Sequence, residues 1–411
     1  MRHRLPAVLA ALVVLATLTT GVSAGPVSAG SDTAGSGSLA ARPVVSVPNT
    51  TGYLALPSDQ QEQFGTADID VAGAAAMDSS EFRVRLFRRS TLAAFRAAPN
   101  ATARTRLLQQ AASDLENRSV ALRQQQSAAL RAYNRGQISS ETLLRRLAVV
   151  DARANRLDEA ITRLLEDVGT EPDYTLPTDL RIRFQNAIAE PITIQGPVKT
   201  AIGDSLAGGG PRQVYIGSTD ESIVLARIAG GRYVREAYLA SAYDGDRPDQ
   251  FKNARQDPIS AAYERARTLY PWAFDNRISS VSARGIGLTA VYRFNIDHSH
   301  GRLVTYIDGR TNQTFREIQN ERLSRLPVSE TVVRETGNLT VRANLTHATG
   351  PMEVTVRDPE LNSTVDAEIR IDDTLVGSTG EDGKIWAIRP AGIAVINAST
   401  AEHATDITVG V

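Results

Sequence analysis

Residues 288–311 have the sequence LTAVYRFNIDHSHGRLVTYIDGRT, and this stretch decides the fold class. From Leu288 to Ile296 an apolar residue occupies every second position, which predicts a half-buried β-strand. Turn-forming residues at 299–301 and 308–310 bound a second apolar run, Leu303–Ile307. Strands joined by such short turns run antiparallel, so the stretch predicts a meander.

The sequence before this meander predicts a helix and more strands. Asp257 and Pro258 suit the N-cap and first position of a helix, and the apolar residues that follow them share one face. Earlier strand-like segments near Val214 and Ile223 lead through the Gly230–Gly231 turn into another strand. Residues 170–325 are therefore predicted to form an α+β domain in which one helix lies on an antiparallel sheet.

A long arginine-rich helical region is predicted at residues 79–168. Apolar residues recur there every three or four positions from Leu143 to Val168, which is the spacing of a packed helix seam. A second stripe of apolar residues, which could pack against this seam, runs from Leu108 to Ala129. Gly136 predicts a helix end and Ser139 an N-cap, so two helices are expected to fold back as an antiparallel coiled-coil hairpin.

The N-terminal segment has the features of a secretory signal. Residues 1–24 contain two arginines, an apolar run from Leu5 to Leu18 and a small-residue end at Val22–Ala24. An uncleaved anchor is the alternative interpretation. Residues 25–43 are predicted to be a flexible Gly/Ser-rich leader, and residues 44–78 a short strand segment. With no later membrane span predicted, the rest of the chain is expected to be secreted or associated with the cell surface.

The C-terminal segment, residues 328–411, is predicted to be a β-sandwich of short strands separated by turns such as Glu381–Gly383. Its residues from Ala367 to Trp386 resemble the carboxypeptidase-regulatory or transthyretin-like family of extracellular domains, which implies a non-catalytic appendage. The predicted fold class is thus multidomain α+β, with an antiparallel helical hairpin, an α+β middle domain and a C-terminal β-sandwich.

Two wider resemblances concern the middle domain and the whole chain. The helix at 259–269 and the strand pair ending at 303–311 resemble the PepSY family of small modules in exported proteins, which implies a binding or inhibitory role. The order of segments is similar to a class of uncharacterised exported proteins of halophilic archaea. A lysine content of only Lys199, Lys252 and Lys384 fits that class, while the near-neutral net charge of -1 departs from it.

The net charge conceals two oppositely charged regions. Residues 79–168 contain 16 arginines and nine acidic residues, a difference of +7, whereas residues 328–411 contain six basic and 13 acidic residues, a difference of -7. The basic hairpin is expected either to be a solvated face or to meet an anionic partner, such as an acidic envelope polymer, a lipid surface or the protein's own C-terminal domain. Nucleic acid is not expected as a partner of an exported protein. Without cysteine the chain has neither disulfides nor a thiolate nucleophile.

Glycosylation sequons support export. Eight of the 15 asparagines begin an N-x-S/T motif without proline, and we expect several of them to be real acceptors. They are Asn49, Asn100, Asn117, Asn312, Asn338, Asn344, Asn362 and Asn397.

The strongest enzymatic motif is Gly203-Asp204-Ser205-Leu206, taken with Asp297 and His300. The one-letter sequences of these segments, GDSL and DxxH, resemble the nucleophile and acid–base motifs of the GDSL esterase family. The resemblance implies that Ser205 attacks an acyl carbon, His300 takes its proton and Asp297 orients the imidazole. That family needs a parallel α/β/α sheet and an oxyanion-hole asparagine, which the sequence does not offer.

Asp297, His298 and His300 could alternatively hold a metal ion, although a solvated turn is the plainer interpretation. No cofactor and no metal site are predicted. The leading functional hypothesis is a non-catalytic exported protein that binds an unknown protein or an anionic envelope polymer. The alternatives are a secreted Ser esterase and a regulator or inhibitor of an exported peptidase.

Overall fold

A computed structural model describes residues 43–245, 247–253 and 256–410. The predicted signal and nearly all of the predicted leader lie outside the described residues. Within those ranges the protein is a mixed α+β structure, as predicted. The helices are α1 (Val71–Ala97), α2 (Ala101–Asn134), α3 (Ser140–Gly169), α4 (Thr178–Ala189), α5 (Pro197–Leu206), α6 (Pro258–Leu269) and α7 (Pro271–Asp275). Among the described residues, no helix is both long and apolar enough to cross a membrane.

The strands fall into one short pair, one large sheet and two smaller sheets. The pair is β1 (Val44–Val45) and β2 (Tyr53–Leu54). The large sheet contains β3 (Gln61–Ala67), β4 (Arg212–Ser218), β5 (Ile223–Ala229), β6 (Arg232–Tyr238), β7 (Ser282–Ile286), β8 (Val291–His298), β9 (Gly301–Asp308) and β10 (Gln313–Arg322). The smaller sheets contain β11 (Glu330–Glu335), β12 (Thr340–Leu345), β13 (Pro351–Arg357), β14 (Glu368–Ile371), β15 (Thr374–Ser378), β16 (Lys384–Ile388), β17 (Ala394–Ser399) and β18 (Ala404–Val409).

The arginine-rich region contains three long helices, so the predicted hairpin of two helices is incomplete. Helices α2 and α3 form the expected hairpin: Gly136 has φ 68° and the Ser139 hydroxyl accepts from the Thr142 N–H. The preceding helix α1 ends at the residues before Pro99, because a residue before proline is driven out of the helical region and Ala98 is extended. Asn100 then caps α2 by accepting from the Ala103 N–H.

The large sheet has the order β3-β4-β5-β6-β10-β9-β8-β7, and every neighbouring pair is antiparallel. Strand β3 pairs with β4, so residues 61–67 join the strands that lie far along the chain. On β8 the alternating residues Tyr292, Phe294 and Ile296 are buried, as the pattern predicts. The predicted start of this strand is wrong, because Ala290 has φ 60° and belongs to the turn before β8.

Helices cover both faces of the large sheet, which corrects the predicted plan of one helix on a sheet. On one face, Gly65 of β3 lies against α3, where an added Cβ would be 3.1 Å from the Leu144 side chain. The other face carries α6, α7 and the β1–β2 pair, since Tyr270 and the Leu54 backbone both bond to Glu317 on β10.

The C-terminal region is β-rich, as predicted. Its two sheets have the orders β11-β12-β13-β16 and β15-β14-β17-β18 and share one apolar core. Three hydrogen bonds between described residues attach this region to the large sheet. The Tyr233 hydroxyl donates to the Thr349 carbonyl (2.7 Å), the Ala391 N–H to Glu62 (2.8 Å) and the Gln213 side-chain amide to the Leu375 carbonyl (2.8 Å). The attachment leaves a cleft between the two.

Candidate functional site

The cleft has a volume of about 830 Å³. It lies between the β3–β6 half of the large sheet, the segment 53–64 and the C-terminal β region. Aromatic rings and buried polar groups both line it. The lining includes Tyr53, Phe64, Tyr215, Arg235, Thr349 and Ile393.

Arg235 of β6 is the central charged group of this cleft, although it is only 1% exposed. Its guanidinium donates from Nη1 to Glu317 Oε1 (3.0 Å) and from Nη2 to the Leu54 carbonyl (2.6 Å). The guanidinium carbon also lies 5.3 Å from the centre of the Tyr53 ring. The third nitrogen, Nε, has no hydrogen-bond partner among the described residues. Arg235 is therefore held rigidly and keeps one free donor.

Glu317 of β10 is the counter-charge of Arg235 and is fully buried. It accepts from the Leu54 N–H (2.9 Å), the Tyr270 hydroxyl (2.6 Å) and Gln319 Nε2 (2.9 Å). Burial raises the pKa of the Glu317 carboxyl, and the positive charge of Arg235 opposes this rise. These bonds tie strand β2, the end of α6 and the large sheet to one carboxylate.

Two further titratable groups beside this ion pair are neutral at pH 7. Both oxygens of Glu321 lack a partner among the described residues, and burial together with the charge of Glu317 raises the Glu321 pKa to about 8. The His347 ring stacks on Tyr53 with ring centres 4.8 Å apart. Burial lowers the His347 pKa to about 4. The floor of the cleft therefore carries little net charge.

The walls of the cleft provide further polar groups. The Tyr215 hydroxyl is buried near the Glu62 carboxylate, and burial followed by this negative charge raises its pKa. Glu62 also accepts from Gln60 Nε2 (2.6 Å) and the Ala391 N–H. Thr349 is 5% exposed, and its hydroxyl has no partner among the described residues. An unpaired buried hydroxyl costs about 1–3 kcal/mol, so a bound polar molecule would stabilise this group.

A second buried charge cluster lies on the opposite face of the sheet and is structural. Asp151 accepts from the Gly196 N–H (2.7 Å) and Glu236 from the Val198 N–H (2.9 Å), which satisfies the first turn of α5. Lys199 Nζ lies 3.4 Å from Glu236 and donates to the Ile194 carbonyl. Burial raises the pKa of Asp151 to about 6.

The structure does not bring the three residues of the esterase motif together. Ser205 is buried in the last turn of α5, where its hydroxyl donates to the Ala201 carbonyl (3.3 Å) and accepts from Arg212 (2.9 Å). Asp297 accepts two bonds from Arg302 (2.6 and 3.3 Å), which lower its pKa. His300 instead bonds through Nδ1 to the Thr50 hydroxyl (3.1 Å).

The surroundings differ from that family as well. The motif lies on a helix beside an antiparallel sheet, whereas the family places its serine after a strand of a parallel one. The three residues therefore have separate local partners and form no described relay.

The histidines considered as metal ligands lie at the β8–β9 turn. His298 is 1% exposed, and neither of its ring nitrogens has a partner among the described residues. Burial lowers its pKa to about 4. The His300 ring packs against Trp272 at an interplanar angle of 36°, with ring centres 4.5 Å apart. Within the described ranges, no group of three or more His, Cys, Asp or Glu side chains could hold a metal ion.

The predicted sequons occupy different surroundings. Exposed side chains belong to Asn49, Asn100, Asn117, Asn338 and Asn362, and half-buried ones to Asn312, Asn344 and Asn397. Asn397 donates to Asp406 and Asn344 to Glu353, so these amides already have partners. The exposed group offers the better candidates, and their use remains a prediction.

Comparisons with known proteins give three family matches along the chain. The chain belongs to the family described as a domain of unknown function (DUF7096), whose model matches residues 1–211, just over half of the chain. A model for a family of unknown function (DUF7094) matches residues 214–327, and one for an archaeal fibronectin-III type-like domain matches residues 330–406. No curated protein and no solved structure matches the chain.

These matches are consistent with a multidomain archaeal protein. The first two regions share one sheet, since β3 comes from the first and β4–β10 come from the second. The C-terminal match names a different family from the carboxypeptidase-regulatory one that the residue pattern suggested. The PepSY resemblance remains a prediction.

The residues of the cleft were not predicted from the sequence. One signal was present: Glu317, Gln319 and Glu321 occupy alternate positions on β10 and therefore share one face of a strand. Such a polar stripe at the centre of a large sheet indicates a buried network. The opposing Arg235 could not be paired with it, because the register of β6 and β10 joins segments about 80 residues apart.

Proposed function

We propose that this protein is a non-catalytic, exported or cell-surface binding protein and that the interdomain cleft is its binding site. The cleft supports this proposal because it combines aromatic walls with two buried polar atoms, Arg235 Nε and the Thr349 hydroxyl, that lack partners among the described residues. Small-molecule sites typically share this composition of an apolar lining and a few fixed polar groups. The signal-like residues 1–24 and the exposed sequons support export.

The ligand that suits the cleft is neutral and rich in hydroxyl groups, such as a stretch of glycan. Three described charged side chains line the cleft. Arg235 is paired with Glu317, whereas the Glu62 and Asp372 carboxylates accept hydrogen bonds from neutral groups and have no ion-pair partner among the described residues. An anionic ligand would therefore meet no free positive charge among these residues and would be repelled by the two carboxylates. The partly exposed ring of Phe64 supplies a flat apolar surface for a sugar ring, while the free donor and hydroxyls supply hydrogen bonds.

The proposal is tested by calorimetry with neutral oligosaccharides taken from the surface of the producing cell. Ala348 lines the cleft, so Ala348→Trp is expected to fill part of it and abolish binding. Tyr215→Phe removes one hydroxyl and is expected to weaken binding about fivefold or more, because a neutral hydrogen bond contributes about 1 kcal/mol. The matched control is Ala97→Trp, which adds the same ring at an exposed position on α1.

Binding that survives Ala348→Trp unchanged would contradict the assignment of the cleft. Hydrolysis of the oligosaccharide during the titration would contradict the non-catalytic role. No described contact favours the esterase or the peptidase-regulator hypothesis over this one.

A further inference from the structure

Three arginines lie together on the face of the large sheet opposite the cleft, and a fourth follows the end of β10. Arg232 and Arg235 are three residues apart on β6, so their side chains point to opposite faces. Beside Arg232, the ends of β8, β9 and β10 enclose a notch of about 310 Å³. Its basic lining residues are Arg232, Arg302, Arg322 and Arg325.

Positive charge in this notch exceeds negative charge. Among the described residues, Asp297 is the one carboxylate that lines it, and it accepts two bonds from Arg302. Arg322 makes no ion pair within the part of the chain that the structure describes, and Arg232 donates to the neutral Asn320 side chain (2.9 Å). Arg325 donates to the Ser299 carbonyl (2.9 Å). Three guanidinium groups therefore have no carboxylate partner there.

The strand register adds to this repulsion. Arg322 on β10 lies directly opposite Arg232 on β6. Like charges directly opposite each other in an antiparallel pair destabilise the sheet. An anion held between the two guanidinium groups removes that cost, and the planar N–H fork of arginine suits oxyanions.

The rim of the notch contains neutral groups that suit the rest of a ligand. Asn320 and Ser299 offer hydrogen-bonding groups for hydroxyls, and Ile278 presents an apolar side chain that is 68% exposed. We propose that the notch binds an acidic sugar through its carboxylate or sulfate group. This site is separate from the cleft, whose one described basic lining residue, Arg235, is already paired with Glu317.

Calorimetry with a galacturonate trisaccharide at low ionic strength tests the proposal, with a neutral glucose trisaccharide of equal length as the comparison ligand. The double variant Arg232→Gln/Arg322→Gln is expected to bind the acidic trisaccharide at least about tenfold more weakly, because each lost charge-assisted bond is worth more than a neutral one. The matched control is Arg267→Gln, which removes an exposed arginine of α6 outside the notch. It is expected to bind as the wild type does.

Two further measurements distinguish the notch from the cleft and test the repulsion between its arginines. Ala348→Trp, which fills the cleft, is expected to leave binding of the acidic trisaccharide unchanged. Arg322→Gln alone is expected to raise the urea midpoint, because the opposed like charges are removed.

Several results would overturn the proposal. These are equal affinity of the wild type and the double variant, equal affinity for the neutral trisaccharide, and binding of inorganic sulfate without binding of the acidic trisaccharide. Tighter notch-dependent binding of a single-stranded oligonucleotide would also overturn it, in favour of nucleic acid.

Discussion

The large sheet and the C-terminal β region are both antiparallel, but they bury different kinds of side chain. The large sheet buries the Arg235–Glu317 pair on one face and the Lys199–Glu236 pair on the other. The C-terminal sheets bury apolar side chains together with a few threonines such as Thr379 and Thr405, and their described ion pairs lie at exposed or half-exposed positions. The C-terminal core therefore depends mainly on the hydrophobic effect, whereas the large sheet also depends on buried charged partners.

The polar partners of the large sheet come from distant segments. Glu317 receives bonds from Leu54, Tyr270 and Arg235, which belong to a short strand, a helix end and a neighbouring strand. Buried ion pairs contribute little net stability, but breaking one leaves a buried charge without a partner. We infer that the network selects one arrangement of these segments. Three predictions test this contrast, and a fourth tests a local helix cap that lies outside both regions.

Arg235→Met is expected to have the largest effect. It leaves the Glu317 carboxylate buried without its counter-charge, which should lower the free energy of unfolding by about 3–5 kcal/mol. Urea unfolding followed by circular dichroism measures the loss. The double variant Arg235→Met/Glu317→Gln removes both charges and should recover part of it. If both variants lose the same amount, the uncompensated charge is not the cause.

Ile396→Ala in the C-terminal core is expected to cost about 3 kcal/mol, since it removes buried methyl and methylene groups and leaves a cavity. This loss should be the same at pH 5 and pH 8, because the surrounding core is apolar. Val395→Ala is the matched control, because Val395 is exposed on the same strand. A strong pH dependence of the Ile396→Ala loss would break the contrast between the two regions.

Glu321→Gln is expected to change how stability depends on pH. The folded-state pKa of about 8 lies above the ordinary value of 4.5, so the folded protein holds a proton that the unfolded chain releases. Stability should therefore fall as the pH rises from about 5 to 8, by up to about 1.4 kcal/mol per pH unit. The glutamine variant should reduce this slope and be more stable than the wild type at pH 8 by at least about 1 kcal/mol. Urea titrations at several pH values measure both slopes, and identical slopes would contradict the assignment.

Asn100→Ala is expected to have the smallest effect, a loss of about 1 kcal/mol, because it removes the cap of α2. Asn100→Asp should retain the cap and most of the stability. Thr102→Ala removes the sequon but keeps the cap, so it separates capping from glycosylation. Thermal unfolding of unglycosylated protein compares the three variants. An Asn100→Ala protein as stable as the Thr102→Ala protein would show that the cap contributes nothing.

Local features of the fold were predictable. Ser139 and Asp257 cap the helices that their sequence contexts indicate, and β8 buries the alternating face from Tyr292 to Ile296. Each of these depends on residues within a few positions of one another. The break between α1 and α2 at Pro99 is equally local, and the predicted hairpin was incomplete because the prediction lacked this break.

The candidate site could not be predicted in the same way. Its central pair joins Arg235 to Glu317, and its walls combine residues 53–64 with residues 348–393. The esterase motif shows the opposite error. Ser205 and His300 match the sequence of a known motif, but in the structure they bond to different partners. Sequence spacing carries little information on contacts between residues so far apart.

The sequence by itself determined the α2–α3 hairpin, the helix α6, the caps Ser139 and Asp257, the antiparallel meander and the β-rich C-terminal region, because periodicity and turn chemistry act over a few residues. It also determined the uneven distribution of charge. Only the tertiary structure decided that β3 completes the large sheet, that Arg235 meets Glu317, and that Arg232 lies opposite Arg322. These depend on strand order and register, which are set by packing of the whole chain and not by any local pattern.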